Sequence, residues 1–500
     1  MKHLLFVFGA GLLLDVVLHF TPLLWRWRRI VAALSLGLAV TVSIAVVAWR
    51  PNALSVIFAL AGLYRAFNNL RILKERMHAG YLRRTTRTTT ATLYTFQFLV
   101  AGMWWTWYQT SEDRQIVWLG LAALQVIVAA VLYASTVRRL RHTRPIISDL
   151  HYSDVQLPSI TVAIPARNET EDLRECLQAI IASDYPKLEV LVLDDCSQNK
   201  RTPEIIRSFA QAGVRFLQGE EPKATWLAKN QAYNQLVSQA GGEIIVFCGV
   251  DIRMQPQTLR HMVTLMLDKH KDMMSILPLR RDDAKMQASI VQAMRYWWEL
   301  APPRRLFNRP AVLSSCWAIT RQALQQTGGF AAVTRAIVPE SYFAKALIVG
   351  DRYSFMRANR ELGIESVKQP ADQVNTAVRM RYPQLHRRPE QVFVVAMAEV
   401  LFMLLPFVLA LTGWWLPITG FTHLLAALAA ALILTTHQMI TLTTSVNNWA
   451  YGLIGLPIMT IADIWLLHRS MWQYEFSTVE WKGRNVCIPV MHTVPHLPKI

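Results

Sequence analysis

Apolar positions are unevenly spread along the chain. Long uncharged runs occupy 1–135 and 391–468, and the stretch between them has the mixed pattern of a globular domain. Several runs reach the roughly 20 residues that a helix needs to cross a bilayer. Before the globular stretch these are Leu4–Leu24, Ile30–Ala48, the shorter Ala53–Ala66, Ala91–Tyr108 and Gln115–Thr136. After it come Gln391–Leu411, Phe421–Ile440 and Trp449–Leu467. In the middle, three short β-branched runs each end in polar groups. Ile160–Ile164 leads into Pro165-Ala166-Arg167-Asn168-Glu169, Leu188–Leu193 into Asp194-Asp195-Cys196-Ser197, and Glu243–Cys248 into Gly249-Val250-Asp251. Helix-like segments separate them. One is Glu171–Ala182, apolar at Leu173, Leu177 and Ile180, with Asn168 and Thr170 as candidate N-caps. The pattern predicts an α/β domain on an open sheet, whose ligands bind at the carboxyl ends of the strands.

The predicted organisation is an N-terminal transmembrane region at 1–139 with about five helices, an α/β domain at 140–390, transmembrane or interfacial helices at 391–468, and a tail at 469–500. Composition agrees, with 53% hydrophobic and only 17% charged residues. A cleaved signal peptide is an alternative for the first run, because Lys2 precedes it; the run is long, however, and no small-residue cleavage site precedes the next one.

The net charge of +18 matters through its placement. Basic clusters at Arg26-Trp27-Arg28-Arg29, across Arg65–Arg87 and at Arg138-Arg139-Leu140-Arg141 hug the membrane-like runs, while Glu112 and Asp113 lie in the loop before the fifth. With the N-terminus outside, five crossings put every basic cluster inside, and the positive-inside rule places 140–390 in the cytoplasm at the inner membrane. A basic skirt beside anionic lipid explains the charge without nucleic acid. Cys176, Cys196, Cys248, Cys316 and Cys487 have neither metal-ligand nor disulfide spacing and read as ordinary reduced residues.

Further along lie Trp226-Leu227-Ala228-Lys229, Gly328-Gly329-Phe330, Pro339-Glu340-Ser341-Tyr342-Phe343-Ala344, Gln384-Leu385-His386-Arg387-Arg388 and Glu480-Trp481-Lys482-Gly483-Arg484. With the three strand ends, and in this order, they resemble the motifs of membrane-bound family 2 glycosyltransferases of the GT-A fold. The nearest branches are those of ceramide and hopanoid glucosyltransferases and of cellulose and hyaluronan synthases. The resemblance implies a Rossmann-like nucleotide-diphospho-sugar domain and an inverting hexosyltransferase activity. It implies that Pro165, Ala166, Arg167, Glu169, Asp194 and Asp195 bind the nucleoside, with Asp195 accepting from the uracil N3–H. Lys229 would face the diphosphate, Asp251 would hold a divalent cation (Mg²⁺ or Mn²⁺), and Glu340 would be the general base. Gln384, Arg387 and Arg388 would meet the acceptor and diphosphate, and Trp481 and Arg484 belong to a tail motif.

Several positions depart from the family pattern. Ala228 stands for a glycine, Gly249 for the first aspartate of D-x-D, Pro339 for a glutamate and Arg388 for a tryptophan. Plainer readings stay open: Asp194 and Asp195 as caps, Asp251 as a turn residue, Glu340 as a helix-start glutamate, and the arginines as markers of the membrane edge. Three crossings after the domain would strand the tail on the far side, so Gln391–Leu411, with Glu399 and Pro406, is the expected interfacial element. The expected partners are a nucleotide sugar (UDP-linked), a lipid or lipid-linked saccharide acceptor, and the membrane. The rivals are a non-catalytic scaffold and, on Asp15, Glu399 and Asp463 inside apolar runs, a transporter.

Overall fold

The computed structural model describes residues 8–485 apart from 10, 17, 19–26, 50, 52, 75–83, 108–110, 148–151, 224, 282–293, 304–309, 369, 416–417 and 447–454. Most of the expected Leu4–Leu24 segment, part of Trp449–Leu467, and Cys487 lie outside the described residues.

Four long helices come first: α1 (Arg28–Trp49), α2 (Ala53–Lys74), α3 (Arg84–Trp107) and α4 (Ser111–His142). The α/β region follows as β1 (Ile160–Ala166), α5 (Glu171–Ile181), β2 (Leu188–Asp194), α6 (Arg201–Ser208), β3 (Val214–Gln218), α7 (Ala228–Gln239), β4 (Ile244–Cys248) and β5 (Ile252–Met254). It continues through α8 (Thr258–Asp268), β6 (Met273–Leu277), β7 (Leu279–Arg280), β8 (Cys316–Thr320), α9 (Arg321–Gln326), α10 (Pro339–Ile348), β9 (Tyr353–Arg357) and β10 (Ile364–Ser366). The chain then runs through α11 (Pro370–Gln384), α12 (Pro389–Glu399), α13 (Leu405–Thr412), α14 (Gly420–Thr444), α15 (Leu456–Phe476), and a hairpin of β11 (Glu480–Trp481) and β12 (Arg484–Asn485).

The main sheet has the order β3-β2-β1-β4-β8-β6-β9. β1 pairs in parallel with β2 and β4, and β8 enters antiparallel between β4 and β6. A small sheet, β5-β10-β7, flanks the carboxyl end of β4. The three strand ends named from sequence therefore lie along one edge, as expected.

Core residues pack on both faces. On one, β1 and β2 meet Leu173, Leu177 and Ile180 of α5. On the other, an aromatic group fixes two helices that matter below. Phe247 stacks on Trp317 with ring centroids 4.2 Å apart, Tyr233 of α7 packs on Phe247 at 4.7 Å, and Phe343 of α10 stacks on Trp317 at 6.1 Å. Such contacts add about 0.5–1.5 kcal/mol per pair beyond simple burial. Tyr233 and Phe343 lie one turn beyond Lys229 and Glu340, so this cluster sets where those two side chains begin.

Among the described residues, five helices are long and apolar enough to cross a membrane: Arg29–Trp49, Ala53–Leu70, Gln115–His142, Pro389–Thr412 and Gly420–Thr444. The expected interfacial run Gln391–Leu411 falls inside one of them, whereas α15, which overlaps the expected crossing Trp449–Leu467, is not among them. Residues 447–454, with which the expected crossing begins, lie outside the described residues. The last turns of α15 carry His468, Arg469 and Glu475. The expected span Ala91–Tyr108 also falls short; its helix begins Arg-Thr-Thr-Arg-Thr-Thr-Thr. The three acidic residues in apolar runs each face an arginine. Asp15 pairs with Arg65, and Asp463 and Glu399 face Arg381, so their charge has a partner within the helices.

Candidate active site

The carboxyl ends of β1 and β4 open onto a pocket of about 160 Å³. Pro165 and Glu169 line it from β1, and Gly249, Val250 and Asp251 line it from β4. Lys229, Arg295, Lys368, Arg379 and Lys482 converge on it from five different segments. Glu169, Asp172, Asp251, Asp372 and Glu480 line it as well, so five cations face five carboxylates across one concave site.

Beside the pocket, the turns after β1 and β2 are locked together. Asn168 has φ +49° and Cys196 φ +50°, conformations that asparagine tolerates better than most residues. The Asn168 side chain accepts from the Gln198 N–H at 2.8 Å, and its own N–H donates to Ser197 Oγ at 2.9 Å. Neither expected N-cap holds for α5: Asn168 is engaged in the neighbouring turn, and Thr170 makes no side-chain cap bond. Asp194 is also a turn residue, its Oδ1 accepting from the Ser197 N–H at 3.2 Å, and it does not line the pocket. It bonds within that turn and does not cap α6, whose N-cap is Lys200. The backbone of Ala166 accepts from the Asp195 N–H at 2.8 Å, and its side chain is core.

Asp195, like Asp194, does not line the pocket; it is 4% exposed, and its Oδ1 accepts from Arg484 Nη1 at 2.6 Å, while Oδ2 is buried with no partner among the described residues. Burial pushes this carboxyl up, and the Arg484 guanidinium, then Arg167, oppose the rise. Glu169 is bridged by Lys482; burial raises it as well, and Lys482 pulls the other way. Arg167 is not a pocket residue. Its guanidinium donates to the carbonyls of Asp195 at 2.6 Å, Cys196 at 2.7 Å and Lys482 at 3.0 Å, riveting the tail hairpin to the strand ends. Gly483, at φ +75°, makes the turn that brings Lys482 and Arg484 to the same side. Trp481 forms β11, and its side chain lies outside the described residues.

At the other end stand Lys229 and Asp251. Burial lowers Lys229 to about 8, against the pull of Glu340. Asp251 Oδ2 lies 3.4 Å from Ser366 Oγ and 4.0 Å from Lys368 Nζ. A Cβ at Gly249 would sit 2.6 Å from Asp251 Oδ1, so the missing first aspartate of the pair leaves room that Asp251 itself occupies. Among the described residues no three metal-ligating side chains cluster. One carboxylate beside a cationic pocket still fits Mg²⁺ or Mn²⁺ when phosphate oxygens and water complete the octahedron.

Glu340, in the first turn of α10 after Pro339, is fully buried. Neither of its carboxylate oxygens has a hydrogen bond of good geometry among the described residues. Burial raises it; Lys229 counters this most, with Arg295 and Ser314 adding less. Lys229, Arg295 and Ser314 all line the pocket, and Glu340 lies just behind them.

The Gln384–Arg388 motif does not reach the pocket. His386 and Arg387 adopt φ +55° and +53°, a left-handed turn between α11 and α12. That turn carries Arg387 onto the Tyr474 ring, 4.9 Å from its centroid. Gln384 and Arg388 instead line a larger cavity beside α12. The cations found in their place are Arg295, Lys368 and Arg379, which sequence reading missed. No short motif marks them. Lys368 is brought in because β10 pairs with β5 through Ser366 and Ile252, directly after Asp251.

Residues 161–328 match the family described as glycosyl transferase family 2. Glycosyltransferase AglE of Haloferax volcanii is 35% identical over 112 residues, which is 22% of this chain and 35% of that protein. An N-acetylglucosaminyltransferase of Bradyrhizobium elkanii is 28% identical over 127 residues, 24% of this chain and 66% of that protein. The chain thus spans about a third to two thirds of the length of these relatives. Among solved structures, mannosyltransferase PcManGT from Pyrobaculum calidifontis, in complex with GDP-Man and Mn²⁺, is 18% identical with a TM-score of 0.43, covering 72% of this chain and 99% of that one. Glucosyl-3-phosphoglycerate synthase from Mycobacterium tuberculosis, with Mn²⁺, UDP and phosphoglyceric acid, is 16% identical with a TM-score of 0.32, covering 48% and 84%. The strand ends, their order in the sheet and the family match agree: residues 161–328 of this chain belong to a family 2 glycosyltransferase domain, set in a mixed α/β region with long apolar helices on both sides.

Proposed function

We propose that the protein is an inverting glycosyltransferase that moves a sugar from a UDP-linked donor to an acceptor at the membrane. The observation that carries this reading is the convergence of Lys229, Arg295, Lys368, Arg379 and Lys482 on the carboxyl edge of β1 and β4, inside a family 2 domain. These five cations share the lining with five carboxylates, and a nucleoside diphosphate together with a divalent cation would engage both sets.

In this reading Asp195 accepts from the uracil N3–H through Oδ2, which has no partner among the described residues, while Arg484 on Oδ1 opposes the rise that burial causes. Lys229, Arg379 and Arg295 offset the charge of the departing diphosphate. The acceptor oxygen attacks the anomeric carbon, the bond from that carbon to the phosphate oxygen breaks, and the diphosphate leaves with the electron pair. Glu340 takes the acceptor proton. A divalent cation held by Asp251 and the diphosphate would add Lewis-acid neutralisation of the leaving group.

Contact between the tail and the strand ends supports a topology in which α12–α13 and α14 make two crossings, and α15 stays on the side of the α/β region. With the basic clusters of the N-terminal region inside, that side is the cytoplasm. One observation favours a second reading, a non-catalytic relative: Glu340 lies behind the pocket wall rather than in it. The full-length protein, purified in lipid nanodiscs, should show a raised melting temperature with UDP and Mn²⁺. It should also release UDP from at least one UDP-sugar; no shift and no release with any nucleotide sugar would reject the enzyme reading.

A further inference from the structure

Helix α11 stands between the pocket at the strand ends and α15. Asp372, Asn375, Thr376 and Arg379, spaced as one face of a helix, line the pocket. Tyr382, and Leu385 just past the helix end, pack instead on Leu467, Met471 and Tyr474 of α15. The last turn of α11 contains a proline, Pro383. Proline has no N–H, so the helical bond from residue 383 to the Arg379 carbonyl cannot form, and the ring crowds that same carbonyl. The affected carbonyl thus belongs to one of the five cations of the pocket.

Two hydroxyls of α15 meet this stretch. Tyr474 donates to the Arg379 carbonyl at 2.8 Å, where the missing N–H would have stood. Ser470, one turn earlier on the same face and fully buried, accepts from the Tyr382 N–H at 3.1 Å and donates to the Val378 carbonyl. A regular helix joins those two backbone groups directly, so the Ser470 hydroxyl bridges the rung before the one that Pro383 breaks. Arg381 adds a third attachment, an ion pair with Asp463 two turns before Ser470. Shortly after Tyr474 the chain enters the tail hairpin, whose Lys482 and Arg484 bond Glu169 and Asp195. One helix therefore holds both the hairpin at the strand ends and the turn that carries Arg379.

We propose that Ser470 and Tyr474 are positioning residues for the diphosphate site: their hydroxyls complete the rungs disturbed at Pro383 and so fix the peptide from which Arg379 reaches the phosphate groups. The proposal rests on the reading that the pocket takes a nucleoside diphosphate. An unbroken helix would aim residue 379 by its own hydrogen bonds; here a neighbouring helix does so. Without the Tyr474 hydroxyl, the Arg379 carbonyl loses a donor in a buried place, and its peptide turns toward another. UDP then meets a cation that has to be brought back into place, which lowers affinity without removing any direct contact.

The test uses the full chain in phosphatidylcholine/phosphatidylglycerol nanodiscs, with UDP affinity read by calorimetry and uridine affinity by ligand-observed NMR. Tyr474→Phe and Ser470→Ala, which remove a hydroxyl and nothing else, should each weaken UDP binding by about tenfold, the scale of one buried polar group deprived of its partner. Uridine, which carries no phosphate, should bind both variants within about twofold of wild type. Arg379→Gln should weaken UDP binding by itself, and neither hydroxyl deletion should add to that loss. Pro383→Ala restores the N–H that the Arg379 carbonyl lacks. In that background Tyr474→Phe should cost little UDP affinity, whereas Ser470→Ala, which serves the rung before, should cost as much as in the parent. Thr460→Val removes a buried hydroxyl that bonds within α15, to the Leu456 carbonyl at 2.8 Å, and should leave UDP binding unchanged. A lower melting temperature with unaltered UDP affinity in both hydroxyl variants would overturn the proposal. So would equal losses for UDP and uridine, or a loss that persists in full beside Arg379→Gln. No UDP binding by the wild type would overturn the glycosyltransferase reading and this proposal together; UDP binding that ignores the two hydroxyls overturns the proposal alone.

Discussion

Arg484 reaches back across 289 residues of sequence to donate to Asp195 Oδ1 at 2.6 Å, with both side chains nearly buried. The contact joins the tail hairpin to the strand end that would read the base. It also explains why the tail must lie on the side of the α/β region, whatever the helices between them do. Because Oδ2 of the same carboxylate stays unpartnered, the tail leaves Asp195 one acceptor for a ligand rather than using up both.

The first prediction concerns this pair. Asp195→Ala should weaken UDP binding by about 1.5–3 kcal/mol, the scale of a hydrogen bond to a charged group. Arg484→Ala should weaken it too, because burial already raises the Asp195 carboxyl and removing its main counter-charge raises it further. A double-mutant cycle by calorimetry should show the two losses to be strongly non-additive. Tighter UDP binding in Arg484→Ala would mean that the tail competes with the nucleotide.

Lys229 predicts a pH signature. Burial brings it to about 8 in the empty pocket. A bound diphosphate favours the ammonium and raises that value, so binding takes up protons where the empty protein has lost them. UDP affinity should accordingly hold below pH 8 and fall as the pH climbs past it. Calorimetry at pH 8.5 in two buffers of different ionisation heat should report net proton uptake, and Lys229→Met should reduce it, with Lys368, which burial also lowers to about 8 in the same pocket, supplying the remainder. Uptake unchanged in that variant would remove Lys229 from the diphosphate site.

Much of the site was legible because its signals were local. β-branched runs ending in polar turns gave β1, β2 and β4, and their common edge follows from parallel pairing. Asp195, Glu169 and Asp251 could be named that way, and Lys229 from the resemblance of the motif that begins at Trp226. The failures have one physical origin, in that they depend on which way a turn faces. Asp194 and Asp195 are adjacent, yet one bonds within its own turn and the other pairs with the tail. Arg387 belonged to a plausible motif, but the left-handed turn at His386–Arg387 swings it onto Tyr474. Lys368 and Arg379 arrive through long-range pairing and helix placement, which no short spacing encodes. The apolar runs alone also did not show that α15 carries His468, Arg469 and Glu475 in its last turns and packs along α11.

Metal binding should depend on nucleotide. Asp251 is one carboxylate with Lys368 4.0 Å away, a poor isolated site for a divalent ion. Adding a diphosphate supplies oxygen ligands and draws the lysine charge toward phosphate. Mn²⁺ titrated into the protein with UDP should bind at least tenfold tighter than into the protein alone, a difference of about 1.4 kcal/mol or more. Asp251→Asn should erase the difference, read by water-proton relaxation. Equally tight Mn²⁺ binding without UDP would contradict this ligand set.

Glu340 separates an enzyme from a scaffold. It is fully buried, its carboxyl is raised by that burial, and Lys229 is the group that opposes the rise most. A general base must be ionised to work, so the acid limb of the rate profile should lie above the range of an ordinary carboxylate, with activity growing as pH rises through it. Glu340→Gln keeps the shape but cannot take a proton. If Glu340 is the base, sugar transfer should drop by about 10²–10⁴-fold, the usual worth of a positioned base, and the acid limb should vanish. UDP affinity near neutral pH should stay within a few-fold of wild type, and Glu340→Asp should recover part of the rate. If the residue instead serves only to keep Lys229 charged, the same Gln variant should lose UDP affinity in step with transfer and lose proton uptake at a lower pH than wild type. Calorimetry with UDP and a labelled-donor transfer assay, run on the same two variants, distinguish these outcomes.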